Sequence, residues 1–219
     1  MLNIALDGPA GSGKSTVAKA IADKLDILYL DTGAMYRACA LECLKRGVSV
    51  KDEPKVAEIV DNIDLEIKYE DGKQVTVLDG EDVSLKIRKP EISMLASDVS
   101  AHKCVRLKMV EMQRKIAANM DCVLDGREIG SFVLPNAKYK FFVTAKPEIR
   151  AERRYKELIA RGNDVNYDEL LKEIKQRDYN DSHREFAPLV RTEDAVYVDT
   201  SDMTIDEVVD TILAVVKGE

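Results

Sequence analysis

The chain has 219 residues, of which 45% are hydrophobic and 33% charged, and its formal net charge is −7. This composition is that of a globular protein with one large domain or one domain with insertions. The acidic balance argues against a general nucleic-acid-binding protein, because such proteins carry an excess of Lys and Arg. No stretch approaches the roughly 18 apolar residues of a membrane span, and the start has no basic signal-peptide region. We therefore expect a cytoplasmic protein.

The strongest motif is the stretch from Gly8 to Thr16, which matches the phosphate-binding pattern G-x-x-x-x-G-K-[ST]. An apolar run at 2–6 precedes it and predicts a buried strand, and helical periodicity at 17–25 follows it. Glycines allow successive backbone N–H groups to face an anion at a helix N-terminus. We expect Lys14 to reach the β- and γ-phosphates of a nucleotide and Ser15 to ligate Mg²⁺. The predicted ATP-binding residues are Gly8, Pro9, Ala10, Gly11, Ser12, Gly13, Lys14, Ser15 and Thr16.

Further strands and helices alternate along the chain. Apolar runs predict strands at 27–31, 122–125, 139–143 and 195–199. Helical patterns occur at 34–46, 54–63, 91–100, 103–119, 147–159 and 167–180, and a last one follows the capping residue Thr204 and runs to 217. This alternation predicts an α/β fold, with a parallel sheet flanked by helices and with ligands at the carboxyl ends of its strands.

The region at about 64–90 has a different pattern. The residues at 65–69 and 75–77 alternate between apolar and polar, and Asp71-Gly72 between them is a turn signal. A second such turn follows at Asp79-Gly80. The pattern predicts an antiparallel β-hairpin with one solvent-facing side, inserted into the parallel fold.

The four cysteines are Cys39, Cys43, Cys104 and Cys122, and no C-x-x-C pair occurs. Cys39 and Cys43 are one helical turn apart, where both can face a core. We interpret them as buried thiols of a reduced compartment rather than as metal ligands.

Polar residues follow two of the predicted strands, at 31–37 and at 125–128, and seven arginines fall between 150 and 191. We interpret Arg150 and Arg161 as parts of a solvated charged helix. Arg177 and Arg184 lie around Asp181, and we favour a catalytic role for both. Arginines that close over a transferring phosphoryl group are worth about 10³-fold or more in rate. A phosphate loop alone does not distinguish a switch GTPase, an ATP-driven motor and a kinase. The chain has no Asn-Lys-x-Asp, the stretch with which many GTPases recognise guanine.

Taken together, several stretches resemble the bacterial cytidylate kinase family, in the family's order and over nearly the whole chain. They are the loop at 8–16 and those at 31–37, 80–84, 125–127, 176–178 and 187–189. The resemblance implies a P-loop kinase fold with a parallel five-stranded sheet, a small β-hairpin insertion and a helical lid. It implies one kinase domain, with a core at 1–33, 120–150 and 190–219, a monophosphate-binding region at 34–119 and a lid at about 151–189. The implied reaction transfers the γ-phosphate of ATP to CMP or dCMP with Mg²⁺.

The resemblance also implies roles for single residues. Thr32, Tyr36 and Arg37 match positions that hold the acceptor's phosphate end, and Arg88 adds a phosphate contact. Ser97, Arg106 and the acid after Arg127 match positions that contact cytosine. Arg177, Asp181 and Arg184 match the family's lid-side set, with Asp181 suited to the ribose hydroxyls. Asp125 ends a strand, where it either holds Mg²⁺ through water or caps a turn.

One position departs from the family's usual Asp-Gly-Arg-Asp, because Glu128 stands where the second Asp is common. We hypothesise that Glu128 selects cytosine, because a carboxylate accepts a hydrogen bond from the exocyclic amino group of cytosine and repels the carbonyl oxygen of uracil.

Two other functions stay open: a kinase of another small acceptor (UMP, AMP or shikimate), or a nucleotide-dependent switch without transferase activity. We expect a monomer in pyrimidine metabolism with small-molecule partners and no nucleic-acid or membrane partner.

Overall fold

The computed structural model describes residues 1–218. Its strands are β1 (Asn3–Asp7), β2 (Leu28–Asp31), β3 (Leu65–Glu70), β4 (Lys73–Leu78), β5 (Glu81–Asp82), β6 (Cys122–Gly126), β7 (Tyr139–Thr144) and β8 (Val196–Asp199). Its α-helices are α1 (Lys14–Leu25), α2 (Thr32–Lys45), α3 (Glu53–Asp61), α4 (Pro90–Val99), α5 (Lys103–Asn119), α6 (Pro147–Ala160), α7 (Tyr167–His183) and α8 (Ile205–Lys217). A 3₁₀ turn covers Lys86–Arg88 and a π-helical turn covers Ile129–Val133.

Five strands form one sheet in the order β2–β6–β1–β7–β8. β7 runs parallel to β1, with Ile4 opposite Tyr139, and parallel to β8, with Phe141 opposite Val196. Central parallel strands are buried on both faces, which explains their continuous apolar runs. The predicted five-stranded parallel sheet is confirmed.

The predicted insertion forms a second, antiparallel sheet in the order β3–β4–β5. Leu65 lies opposite Leu78, and Glu70 opposite Lys73. Both residues of the Asp71-Gly72 turn have positive φ, at 49° and 73°. A two-residue hairpin turn of this kind matches the twist of the paired strands. The hairpin turn predicted at Asp71-Gly72 is therefore confirmed.

The predicted helices are all present, and their ends differ by a few residues. α1 begins at Lys14 because Gly13, in the left-handed conformation, caps it, whereas its apolar periodicity starts only at Val17. Thr204 caps α8 as predicted: its hydroxyl accepts from the Glu207 N–H at 3.3 Å, and the Glu207 carboxylate accepts from the Thr204 N–H at 2.8 Å. No α-helix in the described part of the chain is long and apolar enough to cross a membrane.

The described residues divide into two compact units, one of residues 28–122 with Met1 and one of residues 2–27 and 123 onward. The core of the first unit includes Met35, Ile92 and Met109 together with Cys39 and Cys43, which are fully buried as predicted. All four cysteines among residues 1–218 are free thiols. The second unit buries apolar residues of β1, β6, β7, α1 and α8, among them Leu6, Leu124 and Ile212.

Candidate active site

The phosphate loop joins β1 to α1, and its backbone requires glycine. Gly8, Gly11 and Gly13 have φ of 149°, 76° and 86°. A Cβ atom on Gly8 would lie 1.9 Å from the carbonyl oxygen of Val143, so no side chain fits there. The loop ends at the first turn of α1, where unpaired N–H groups and the helix dipole favour an anion. The loop has the backbone of an anion site.

Lys14 lies in this loop with a side chain that is almost fully buried. Its Nζ donates to the carbonyl of Pro9 at 2.8 Å and lies 3.4 Å from the Ser12 hydroxyl. Burial lowers the pKa of Lys14 to about 7, and the nearby Arg127 guanidinium adds to this; Asp125 and other carboxylates oppose it. An anion in the loop would restore the charged form of Lys14.

Ser15 and Asp125 lie together although 110 positions separate them in the sequence. The Ser15 hydroxyl donates to a carboxylate oxygen of Asp125 at 2.6 Å, and Asp125 is buried at the end of β6. Two hard oxygen groups fit a magnesium ion. Among residues 1–218 no group of three or more His, Cys, Asp or Glu side chains could hold a metal ion. The Ser15–Asp125 pair therefore supplies only part of the ligand set of a metal ion.

Four charged residues predicted to bind substrate or act on it form one cluster within the second unit. Arg127 donates to Asp181 at 2.8 Å, and Arg184 donates to Glu128 at 3.0 Å. Arg184 also lies 3.6 Å from Asp181. Burial would raise the pKa of Asp181, but Arg127, Arg177 and Arg184 outweigh it and hold that pKa below its ordinary value. Asp181 is therefore an ionised carboxylate that lies close to Arg127 of one sequence region and Arg184 of another.

Arg150 is buried, at 2% exposure, so its interpretation as part of a solvated helix was wrong. Its guanidinium bonds the carbonyls of Ala10 and Ala145 and the carboxylate of Asp178. The charge pattern of α6 predicts an exposed face, but helical spacing does not show which arginine finds buried acceptors elsewhere in the chain. Arg161 has an exposed side chain paired with Glu157, as interpreted.

In the first unit, two of the predicted acceptor-binding residues form a pair. The Arg106 guanidinium lies 5.3 Å from the ring centroid of Tyr36, within the range of a cation–π contact. Both residues are buried, as is Thr32 at the start of α2. Tyr36 and Arg106 therefore lie in contact within the first unit.

Arg37 pairs with the N-cap residue of its own helix, Asp31. Asp31 caps α2 by accepting from the Ala34 N–H at 3.0 Å, and its other carboxylate oxygen accepts from Arg37 at 2.8 Å. Gln74 of the hairpin accepts from the Asp31 N–H at 2.7 Å. Arg88 lies exposed on the 3₁₀ turn and Ser97 lies half-buried on α4.

Asp7 was missed by the sequence analysis. It is buried at the end of β1, and its carboxylate accepts from the N–H groups of Ile129 and Gly130, both at 2.6 Å. Burial raises the pKa of Asp7 to about 6 although these two N–H donors oppose the shift. An acid at the end of a strand was the signal that identified Asp125, and it applies equally to Asp7.

The sequence of this chain is similar to those of known proteins over almost its whole length. A family model described as cytidylate kinase matches residues 4–218. A cytidylate kinase of Caldicellulosiruptor bescii is 51% identical over 222 aligned residues, covering 100% of this chain and 98% of that protein. One of Clostridioides difficile is 49% identical, covering 97% of each chain.

Solved structures support the fold. An uncharacterized protein from Eubacterium ventriosum has a TM-score of 0.56 at 13% identity, with complete coverage of both chains. A shikimate kinase from Acinetobacter baumannii has a TM-score of 0.50 at 15% identity, covering 100% of this chain and 94% of that one. The two curated relatives and the family match extend over almost the whole chain, and on that ground it belongs to the cytidylate kinase family.

Proposed function

We propose that this chain transfers the γ-phosphate of ATP to CMP or dCMP, forming ADP and CDP or dCDP. The observation that carries the proposal is family membership over residues 4–218 together with an intact phosphate loop. The bonding of Lys14, Asp181 and Arg184 supports it, because phosphoryl transfer depends on positioned charge around the phosphates.

The donor phosphates occupy the loop at 8–16 in this proposal. The loop N–H groups bind the phosphate oxygens, and Lys14 balances charge on the β- and γ-phosphates. Ser15 and Asp125, whose side-chain oxygens lie 2.6 Å apart, would hold Mg²⁺, Asp125 through water. The metal, when bound with ATP, neutralises phosphate charge and helps to align the groups.

The acceptor needs no general base, since the nucleophile is a CMP phosphate oxygen whose second ionisation lies at about 6. The proposed phosphate-end ligands are Thr32, Tyr36, Arg37 and Arg88, and the proposed cytosine ligands are Ser97, Arg106, Arg127 and Glu128. Arg177 and Arg184 stabilise the transferring group, and Asp181 accepts from the ribose hydroxyls.

This proposal includes the organisation that the family resemblance implies, with a monophosphate-binding region at 34–119 and a lid at about 151–189 that excludes water from the reacting phosphates. It also places the protein in the cytoplasm as a monomer.

A coupled assay of ADP formation tests the proposal with CMP, dCMP, UMP, AMP and shikimate as acceptors and with a no-acceptor control. We expect kcat/KM for CMP and dCMP to exceed that for UMP by at least about tenfold, because a site built on a base hydrogen bond rejects an analogue that lacks it. A preference for another acceptor would reassign the substrate. ADP formation that no acceptor stimulates would show a nucleotide-dependent switch instead.

A further inference from the structure

The carbonyl groups of the phosphate loop are held by side chains from outside the loop. The carbonyl of Ala10 accepts from Nη1 of Arg150 at 3.0 Å, and the carbonyl of Ser12 accepts from the hydroxyl of Thr200 at 3.1 Å. Arg150 also packs on the loop, since a Cβ atom on Gly11 would lie 3.4 Å from the Cβ of Arg150. The conformation that presents the loop's N–H groups to phosphates therefore depends on Arg150.

The same guanidinium also donates hydrogen bonds to a residue of α7. Nη1 of Arg150 donates to Asp178 Oδ1 at 2.9 Å, Nη2 donates to Asp178 Oδ2, and Nε donates to the carbonyl of Ala145 at 2.9 Å. Only arginine has enough donors, in a planar fork, to bond two carbonyls and one carboxylate together. Arg150 thus joins the loop and Asp178 through one rigid group.

Asp178 lies in α7 beside the residues that the proposed mechanism uses. It follows Arg177 directly, and Asp181 is one helical turn further along. A displacement of Asp178 by one ångström therefore displaces Arg177 and Asp181 by a comparable amount. Misplacement of that size can cost about 10²-fold in rate.

We propose that Arg150 and Asp178 are positioning residues that couple phosphate binding in the loop to the position of α7. A nucleotide phosphate that orders the loop orders the Ala10 carbonyl, the Arg150 fork and then Asp178. The coupling makes Arg177 and Asp181 take their places when the donor is bound. The inference rests on the proposed function for the roles of Arg177 and Asp181.

A second ion pair between the same two helices provides a matched control. Glu148 of α6 and Lys175 of α7 lie 2.9 Å apart, but about half of each side chain is exposed. Neither is bonded to the phosphate loop in the described structure. Loss of this pair weakens the contact between α6 and α7 without cutting the connection to the loop.

The test is hydrogen exchange of the α7 amides, with and without ADP, on the full chain. The variants are Asp178→Asn, Arg150→Lys and the control Glu148→Gln. We expect ADP to slow exchange in α7 in the wild type and in the control. In Asp178→Asn we expect less than about half of that change, because the carboxylate that pairs with the fork is gone. A merely structural role would raise exchange with and without ADP and leave the difference intact.

Turnover provides a second readout. We expect kcat of Asp178→Asn to fall by at least about tenfold and that of Glu148→Gln to change less than about twofold. Asp178 is partly exposed, so Asp178→Asn keeps the test available if Arg150→Lys does not fold. An ADP-induced change in α7 that is absent in the wild type, or retained in Asp178→Asn, overturns the inference. The exchange experiment uses no acceptor, so its result does not depend on whether CMP is the substrate. A failure of the coupling inference is therefore distinguishable from a failure of the proposed function.

Discussion

We predict that nucleotide binding at the phosphate loop is accompanied by proton uptake at Lys14. In the ligand-free protein its pKa is lowered to about 7, chiefly by burial. Phosphate oxygens in the loop add negative charge beside Nζ and raise that pKa, because an opposite charge favours the charged form. At pH 8 a group of pKa 7 is about one-tenth protonated, so ADP binding should take up about 0.9 proton. At pH 6 the group is already about nine-tenths protonated and uptake falls to about 0.1.

The assay is isothermal titration calorimetry with ADP at pH 8, in buffers of different ionisation enthalpy and with EDTA to exclude metal ions. The slope of the observed enthalpy against the buffer enthalpy gives the number of protons taken up. The phosphates are already ionised at this pH, since their second pKa is about 6, and Asp7 with a pKa of about 6 is ionised too. Lys14→Arg is the control, because a guanidinium stays charged throughout and should reduce the slope to nearly zero. A wild-type slope near zero at pH 8 would refute the reasoning.

Three further predictions concern Arg184, Glu128 and Asp7. Arg184→Lys keeps the charge but loses the fork, so kcat should fall by more than about tenfold with a smaller change in KM for CMP; a change in KM alone would make Arg184 a ground-state ligand. Glu128→Gln should narrow the CMP-to-UMP ratio of kcat/KM, since an amide can donate to uracil as well as accept from cytosine, and an unchanged ratio would show that Glu128 does not read the base. The pKa of Asp7 is about 6 in the folded protein, whereas an aspartate in the unfolded chain has a pKa of about 4. The unfolded chain therefore loses this proton first, and the free energy of unfolding falls as pH rises from about 4 to 6. The wild type minus Asp7→Asn difference in unfolding free energy, from urea denaturation, should fall by about 3 kcal/mol across that window, and a pH-independent difference would contradict the shift.

The sequence alone determined the local features. The glycines and lysine of the phosphate loop appear as a contiguous pattern, and the Asp71-Gly72 turn and the Thr204 cap depend on residues only a few positions apart. Apolar runs identified the five strands of the parallel sheet, and helical periodicity identified the α-helices, because burial imposes each pattern on neighbouring residues. The family resemblance placed these parts in one kinase fold.

Only the tertiary structure decided which charged side chains meet. Arg150 and Ala10 are 140 positions apart, Asp7 and Ile129 are 122 apart, and Glu128 and Arg184 are 56 apart. Nothing in the local sequence distinguishes a buried arginine with four acceptors from an exposed one on the same helix, since both follow the same charge pattern. The difference arises from chain packing, because a guanidinium or carboxylate is buried only where distant groups complete its hydrogen bonds.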